Sequence, residues 1–356
     1  MGALIPMPSM AGYVVAVLLA LPLALLPSHL VVAAPDAPSP PEAVMEAITE
    51  SPAPSSPTQV LVGAYINDIQ QIDFKTNNYI IDLYVWFRWT DPDLDPSKTM
   101  EFMNRFASDD NLRENLYDEP QKMPDGSLYA IVRYQGLFST KFYLGNYPFD
   151  MQNLRVVMED TVSGAGRQIY APDGEKSVAM NPELTLPGFS VGTPTMQVVE
   201  NTYPTNFGDL SQPQAETYSR IALSIPVTRP ALPMSLKTFV PILLIVACAS
   251  FVFFVRPRYV EGRIGLGITA LLTLVALQLT SGASLPDVDY LTMLDKMFLL
   301  AYLFIIITLG RVVLTSWQGT DKRAEAAIAR GDHVWAAMLL IAYFAANLLI
   351  VFNALS

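Results

Sequence analysis

Glu261, Gly265, Thr269, Leu272, Ala276, Leu279 and Ala283 follow one another at steps of 4, 4, 3, 4, 3 and 4 in a long apolar stretch. At 3.6 residues per turn these positions form a single helical stripe. The stripe opens with a carboxylate, passes a small residue and a hydroxyl, and then becomes apolar. Repeated around a symmetry axis, it is a pore wall, with Glu261 an anionic ring at one mouth. Leu272 and Leu279 then form hydrophobic constrictions that gate by dewetting. The plain alternative is a buried helix whose small residues permit close packing. A carboxylate at a membrane edge, beside basic residues, also reads as an interfacial anchor.

Other chemistry is restricted by composition. The histidines are His29 and His333 and the single cysteine is Cys248, so zinc chemistry, histidine catalysis and an intrachain disulfide are not expected. "SGAGRQ" at 163–168 reads as a turn rather than a phosphate loop, and no nucleophile motif accompanies it. The chain therefore reads as a non-enzyme without a cofactor or a certain metal site. Residues 35–229 carry 26 acidic and 13 basic side chains, net −13, which leaves +2 for the remainder of a chain of net −11. So acidic a half argues against nucleic acid as a partner and attracts cations.

The elements that position the stripe follow from composition and period. Residues 13–26 are apolar, and "VVAA" at 31–34 resembles a cleavage site, so 1–34 reads as a signal peptide. The absence of Lys or Arg from "MGALIPMPSM" keeps an uncleaved anchor open. Residues 35–58 have the Pro/Ala/Ser composition of a tether. From 59 to 229, short period-two runs between Pro, Gly, Asn and Asp predict an all-β, immunoglobulin-like sandwich, with "SKTMEFMNRF" adding a short helix. Within 230–356, apolar segments near 236–255, 264–283, 291–313 and 334–352 are each close to the roughly 20 residues that cross a bilayer. Arg256, Arg258 and Arg263 separate the first two, and Lys322, Arg323 and Arg330 the last two. By the positive-inside rule the sandwich lies outside a cell or inner membrane, extracellular or periplasmic.

Ordered motifs then carry a resemblance. "WTD" at 89–91, "YPFDMQNL" at 147–154, Arg229, Pro241 within the first span, "SLPDVDYLT" at 284–292 and the short linker 318–332 occur in sequence. From about residue 59 onward the chain resembles the pentameric ligand-gated ion channels of the Cys-loop receptor superfamily. It is closest in form to bacterial, Pro-loop members without the loop cysteines. Thr140 and Leu154 stand where animal members place those cysteines.

The resemblance implies a homopentamer around a central pore, embedded in membrane lipid. It further implies that Pro148 and Phe149 press on the 285–290 connection, which includes Pro286. Asp150 would pair with Arg229, joined by Asp73. "EGR" at 261–263 has the Glu and the basic residue found before this helix in cation channels, not the Pro-Ala-Arg of anion channels. Monovalent cations are thus the implied permeant ions, and Arg263 must turn toward the cytoplasm or a neighbouring subunit. The resemblance also implies an agonist site between sandwiches, at Tyr84, Tyr117, Tyr203, Phe207 and Tyr218. Thr161 stands where many members have an aromatic, so Glu159 and Asp160 are the alternative ligands for an ammonium group, a calcium modulator or protons. Small-molecule and proton agonists stay open. The competing class is a non-conducting sensor with the same architecture, in which the stripe is buried.

Overall fold

The computed structural model describes residues 56–106, 111–208, 215–283, 285–317 and 322–355. The signal peptide reading, and the tether up to residue 55, lie outside the described residues.

Two sheets enclose one core. β1 (Thr58–Asp73) is the longest strand, and its hairpin partner β2 (Asn78–Trp89) shows the cleanest alternation. In β2 the odd-numbered residues from Tyr79 to Trp89 are buried, while Ile80, Tyr84, Trp86 and Arg88 are half-buried on the opposite face. After β2 the chain makes only one helical turn, α1 (Pro96–Thr99), before entering β3 (Met100–Phe102). The short helix expected over "SKTMEFMNRF" therefore stops early. Met100 and Phe102 alternate into the core, with Glu101 outside, as β pairing with β7 requires.

Five further strands complete the middle of the domain: β4 (Leu112–Asn115), β5 (Gln121–Lys122), β6 (Leu128–Ser139), β7 (Met151–Asp160) and β8 (Gln168–Pro172). β9 (Val178–Met180), β10 (Ser190–Val191), β11 (Thr195–Tyr203) and β12 (Glu216–Thr228) follow. One sheet runs β4-β6-β2-β1-β8, with β5 on β6 and β9 on β1; the other runs β10-β12-β7-β3, with β11 on β12. Val62, Leu83, Phe138, Met158 and Leu223 come from both sheets and meet in a single buried cluster. This is the sandwich expected from the period-two runs.

Among the described residues four helices follow it: α2 (Ala231–Ser250), extended by a 3-10 turn at Phe251–Phe253, then α3 (Val260–Gly282), α4 (Met293–Ser316) and α5 (Lys322–Leu355). All four contain spans long and apolar enough to cross a membrane. α5 begins well before the apolar segment because "KRAEAAIARGDH" is rich in strong helix formers despite its charge. Thr292 and Asp295 form a reciprocal capping box that fixes the start of α4. Ile242 and Val246 of α2, Leu274 of α3, Phe298 and Phe304 of α4 and Tyr343 of α5 share one buried cluster. A Cβ on Gly267 would collide with Leu309, so glycine is what lets α3 lie close against α4.

Candidate functional site

The stripe on α3 is exposed along its whole length. Glu261, Gly265, Thr269, Leu272, Ala276, Leu279 and Ala283 all face outward, with Leu272 and Leu279 at 64% and 72% exposure. The opposite stripe, Arg263, Gly267, Ala270 and Leu274, is buried against the other helices. No helix of the same chain covers the candidate stripe among the described residues, so packing within the chain does not account for it. The Thr269 hydroxyl donates to the Gly265 carbonyl at 2.8 Å, and that of Thr273 to the Thr269 carbonyl at 2.8 Å. A hydroxyl bonded in this way presents acceptor lone pairs to whatever lies beyond it.

Arg263 does not take either orientation expected of it. Its side chain turns into its own helical bundle, where Nε donates to the Val252 carbonyl at 3.1 Å and Nη2 meets Asp332 Oδ2 at 2.5 Å. The geometry follows from the helix: positions two apart lie about 200° apart around the axis, so Glu261 outward puts Arg263 inward.

At the junction between sandwich and helices, Asp150 and Arg229 form a buried ion pair at 3.0 Å. Gln152 holds the other Asp150 oxygen at 2.6 Å and also donates to the Tyr143 carbonyl at 2.8 Å. The Arg229 guanidinium lies 4.3 Å from the Phe74 ring, 4.7 Å from Phe189 and 5.0 Å from Tyr147. Asp73 does not join it. Its carboxylate accepts from the Lys75 and Thr76 amides at 2.9 and 3.3 Å, because an Asp entering a tight turn bonds its own backbone. The first hairpin is represented at Arg229 by Phe74 instead.

The turn borders the α3–α4 connection through Tyr147, which lines one cavity with Leu285 and Arg229. Pro148 is buried, with a cis bond before it, and the Phe149 ring packs 5.7 Å from Phe239 on α2. The residues just before the turn meet the connection as well. The Leu144 amide donates to the Tyr290 hydroxyl at 2.9 Å, and the Met293 amide to the Gly145 carbonyl at 2.8 Å. The Tyr143 and Tyr290 rings lie 5.2 Å apart, while Leu285 packs against the sandwich core beside the half-buried Pro286.

On the outer face of the β3-β7-β12-β11 side, strand register assembles a polar aromatic cluster. Glu159 on β7 lies directly opposite Arg220 on β12, and their side chains form an ion pair with Glu159 buried. The Tyr203 hydroxyl donates to Glu159 at 2.8 Å and accepts from Arg220 at 3.2 Å. The Tyr203 ring lies 5.3 Å from Phe207 and 5.8 Å from Tyr218, whose hydroxyl donates to Glu216 at 2.8 Å. Burial pushes the Tyr218 phenol up to about 12, and its bond to the Glu216 carboxylate acts in the same direction. Tyr203 is raised by burial and then by Glu159. Both therefore stay neutral donors at ordinary pH.

Asp160 is not part of this cluster. It is buried, bonded to the Thr99 hydroxyl and to the Val162 and Ser163 amides at 2.9 and 2.6 Å, so it anchors a turn. With Glu159 paired to Arg220, neither carboxylate is free for calcium, and no group of three or more metal-ligating side chains occurs among the described residues. Tyr84 lies on the other sheet, on its outer face, with Arg133 5.5 Å from its ring centre and Tyr65 6.5 Å away. Tyr117 is exposed beside Tyr129 at 6.3 Å. A single chain brings neither tyrosine to the Glu159 cluster.

Arg220, Glu216, Phe74, Phe189 and Tyr147 were not marked by the sequence reading. The usable signal for Arg220 was its place on the polar side of an otherwise alternating strand.

No protein-family model matches the chain. It is 22% identical over 295 residues to the acetylcholine-gated chloride channel subunit acc-1 of Caenorhabditis elegans, covering 76% of this chain and 60% of that protein. It is 23% identical over 271 residues to pH-sensitive chloride channel 2 of Anopheles gambiae, covering 69% and 43%. Against the gamma-aminobutyric acid receptor subunit rho-3 of Homo sapiens it is 22% identical over 273 residues, covering 71% and 56%. The chain spans about half the length of these relatives. The similarities support the superfamily resemblance carried by the motifs. With four apolar helices after an N-terminal sandwich among the described residues, the chain is a multi-pass membrane protein whose N-terminal domain is extracellular or periplasmic.

Proposed function

We propose that the chain is one subunit of a ligand-gated cation channel, a homopentamer whose axis is lined by the α3 stripe. The observation that carries this reading is the wholly outward stripe, with Glu261 at its end and the charge of Arg263 withdrawn from that face. Five copies set a ring of carboxylates at the cytoplasmic mouth and leucine rings above it. The Thr269 lone pairs and the acidic outer domain act in the same direction, lowering the energy of a cation along the path.

Chloride conduction is the second reading, favoured because two of the relatives are named as chloride channels. Voltage clamp of cells expressing the chain in asymmetric NaCl separates the two, since the reversal potential lies near the sodium value for one and the chloride value for the other. Glu261→Gln is then expected to lower the sodium-to-chloride permeability ratio by about tenfold, because a ring of fixed charge is lost. An unchanged ratio removes Glu261 from the selectivity mechanism.

The agonist is proposed to act at the Glu159, Arg220, Tyr203, Phe207 and Tyr218 cluster, completed by Tyr84 and Tyr117 across subunits, with protons as the other candidate stimulus. Arg220 neutralises Glu159, so the cluster is not a bare anionic box for amines; its aromatic faces remain open to an organic cation. Tyr203→Phe removes both hydrogen bonds of that phenol and leaves a buried carboxylate one donor short. The half-maximal agonist concentration is expected to rise about tenfold, consistent with one charged hydrogen bond of about 1.5–3 kcal/mol. An unmoved dose–response curve, with agonist identified by a panel of amines, carboxylates and acid steps, moves the agonist site elsewhere.

A further inference from the structure

Three membrane helices meet at one buried carboxylate, and the turn that ends the fourth is tied to it through one of the arginines. Asp332 on α5 has its side chain 1% exposed, and its two oxygens take Arg263 Nη2 of α3 at 2.5 Å and Arg311 Nε of α4 at 3.1 Å. Arg263 is also 1% exposed, and its Nε donates to the Val252 carbonyl in the 3-10 turn that ends α2. That carbonyl is one of the terminal groups a helix leaves without an intrahelical partner, so the guanidinium is held from two sides. Arg311 keeps 19% exposure and lies 5.7 Å from the Trp335 ring. A Cβ on Gly331 would sit 3.1 Å from Arg311 Nη2, so the glycine before Asp332 leaves room for the second arginine.

This arrangement is costly as a source of stability. Two guanidiniums and one carboxylate are desolvated together, and apolar residues of similar volume commonly pack at least as well. It does, however, fix where a positive charge points. Arg263 stands two residues after Glu261 on a long flexible arm, and an arginine released from the bundle would reach the same turn of the exposed face. There it would neutralise the Glu261 carboxylates and repel cations.

We propose that Asp332 is a positioning residue for ion selectivity: from the last helix it holds the Arg263 charge away from the conduction path. The inference rests on the cation-pore reading of the α3 stripe. Asp332 touches no permeant ion and acts only through Arg263. The presence of Arg311 serves the same end in variants, since it keeps Asp332 paired when Arg263 is changed.

The test is the sodium-to-chloride permeability ratio from reversal potentials of the full chain in cells. The wild-type value alone reads the cation assignment; differences between variants read the positioning role. Asp332→Asn is expected to lower the ratio by about tenfold, and adding Arg263→Gln to it to restore the ratio to within about twofold of wild type. Loss of packing alone would not be repaired by removing a second buried partner. If Asp332→Asn keeps the wild-type ratio, or the double variant stays altered, the proposal falls. Arg263→Gln alone keeps the test open where Asp332→Asn fails to reach the surface. Because the charge is already withdrawn, that variant is expected to leave the ratio within about twofold. A rise of about fivefold or more means that Arg263 faces the path in the native channel and overturns the proposal.

Discussion

Arg229→Ala is expected to destabilise the protein by about 3–5 kcal/mol and to abolish agonist-evoked current in whatever fraction reaches the surface. The magnitude comes from what stays behind. Asp150 has a side-chain exposure of 2%, and without the arginine its charge is buried with only Gln152 as a donor. Three rings also lose the cation they surround, Phe74 on the β1–β2 turn, Tyr147 beside the Pro148 turn and Phe189 next to β10. Each such contact contributes about 0.5–2 kcal/mol, and the three are not additive because they share one guanidinium.

The effect on gating follows from position. Arg229 is the residue after β12 and lies two positions before α2, so the same residue joins the strand of the proposed agonist cluster, two loops and the first membrane helix. β12 is also the strand that carries Tyr218 and Arg220. Asp150→Asn is expected to cost less, since a neutral amide still hydrogen-bonds the guanidinium and the three rings still surround it. Arg229→Lys should fall between them, because an ammonium keeps the charge without the planar fork. Thermal unfolding of the purified protein gives the stability order, and current normalised to surface labelling gives the coupling. Wild-type current and melting temperature in Arg229→Ala would remove this pair from both roles.

How far the sequence revealed these arrangements depended on the range of the interaction concerned. The helices and the α3 stripe were legible because apolar length and a 3-4 spacing are local properties. The direction of Arg263 was misread as toward the cytoplasm or a neighbouring subunit, although helix geometry turns it inward once Glu261 is outward, and what receives it was not legible. Asp332 lies 69 positions away, in a charged stretch that reads as a linker, and only the early start of α5 brings it into the bundle. The Asp150–Arg229 pair was reachable through the ordered motifs, whereas Asp73 was misassigned to it because turn chemistry outcompetes a distant cation. Asp160 went the same way: a carboxylate at the end of a strand met the amides of the turn that follows. What Arg220 pairs with was not legible for a different reason. Its partner is set by the β12–β7 register, and register comes from long-range pairing that no single strand displays.

Leu272→Ala is expected to open the resting channel, giving a steady current without agonist and a leftward shift of any remaining dose dependence. Leu272 is 64% exposed on the single chain; on the proposed axis its side chain meets its four counterparts and the pore water. In a shut pore the five leucines bury one another; in an open pore they face water. Truncation to alanine removes about three carbons per subunit, at about 0.8 kcal/mol for each one fully buried. If a third of that burial distinguishes shut from open, the five subunits together shift the equilibrium by about 4 kcal/mol, close to a thousandfold. A channel shut nearly always thus becomes one open for a sizeable part of the time. The same substitution separates the pore from the non-conducting sensor. There Leu272 would pack against a neighbouring helix, and its loss would leave a cavity, lower stability and produce no current. Resting current at fixed surface density decides between them. Its absence in Leu272→Ala, with normal expression and normal agonist response, would mean that the exposed stripe is an interface between proteins rather than the wall of a gate.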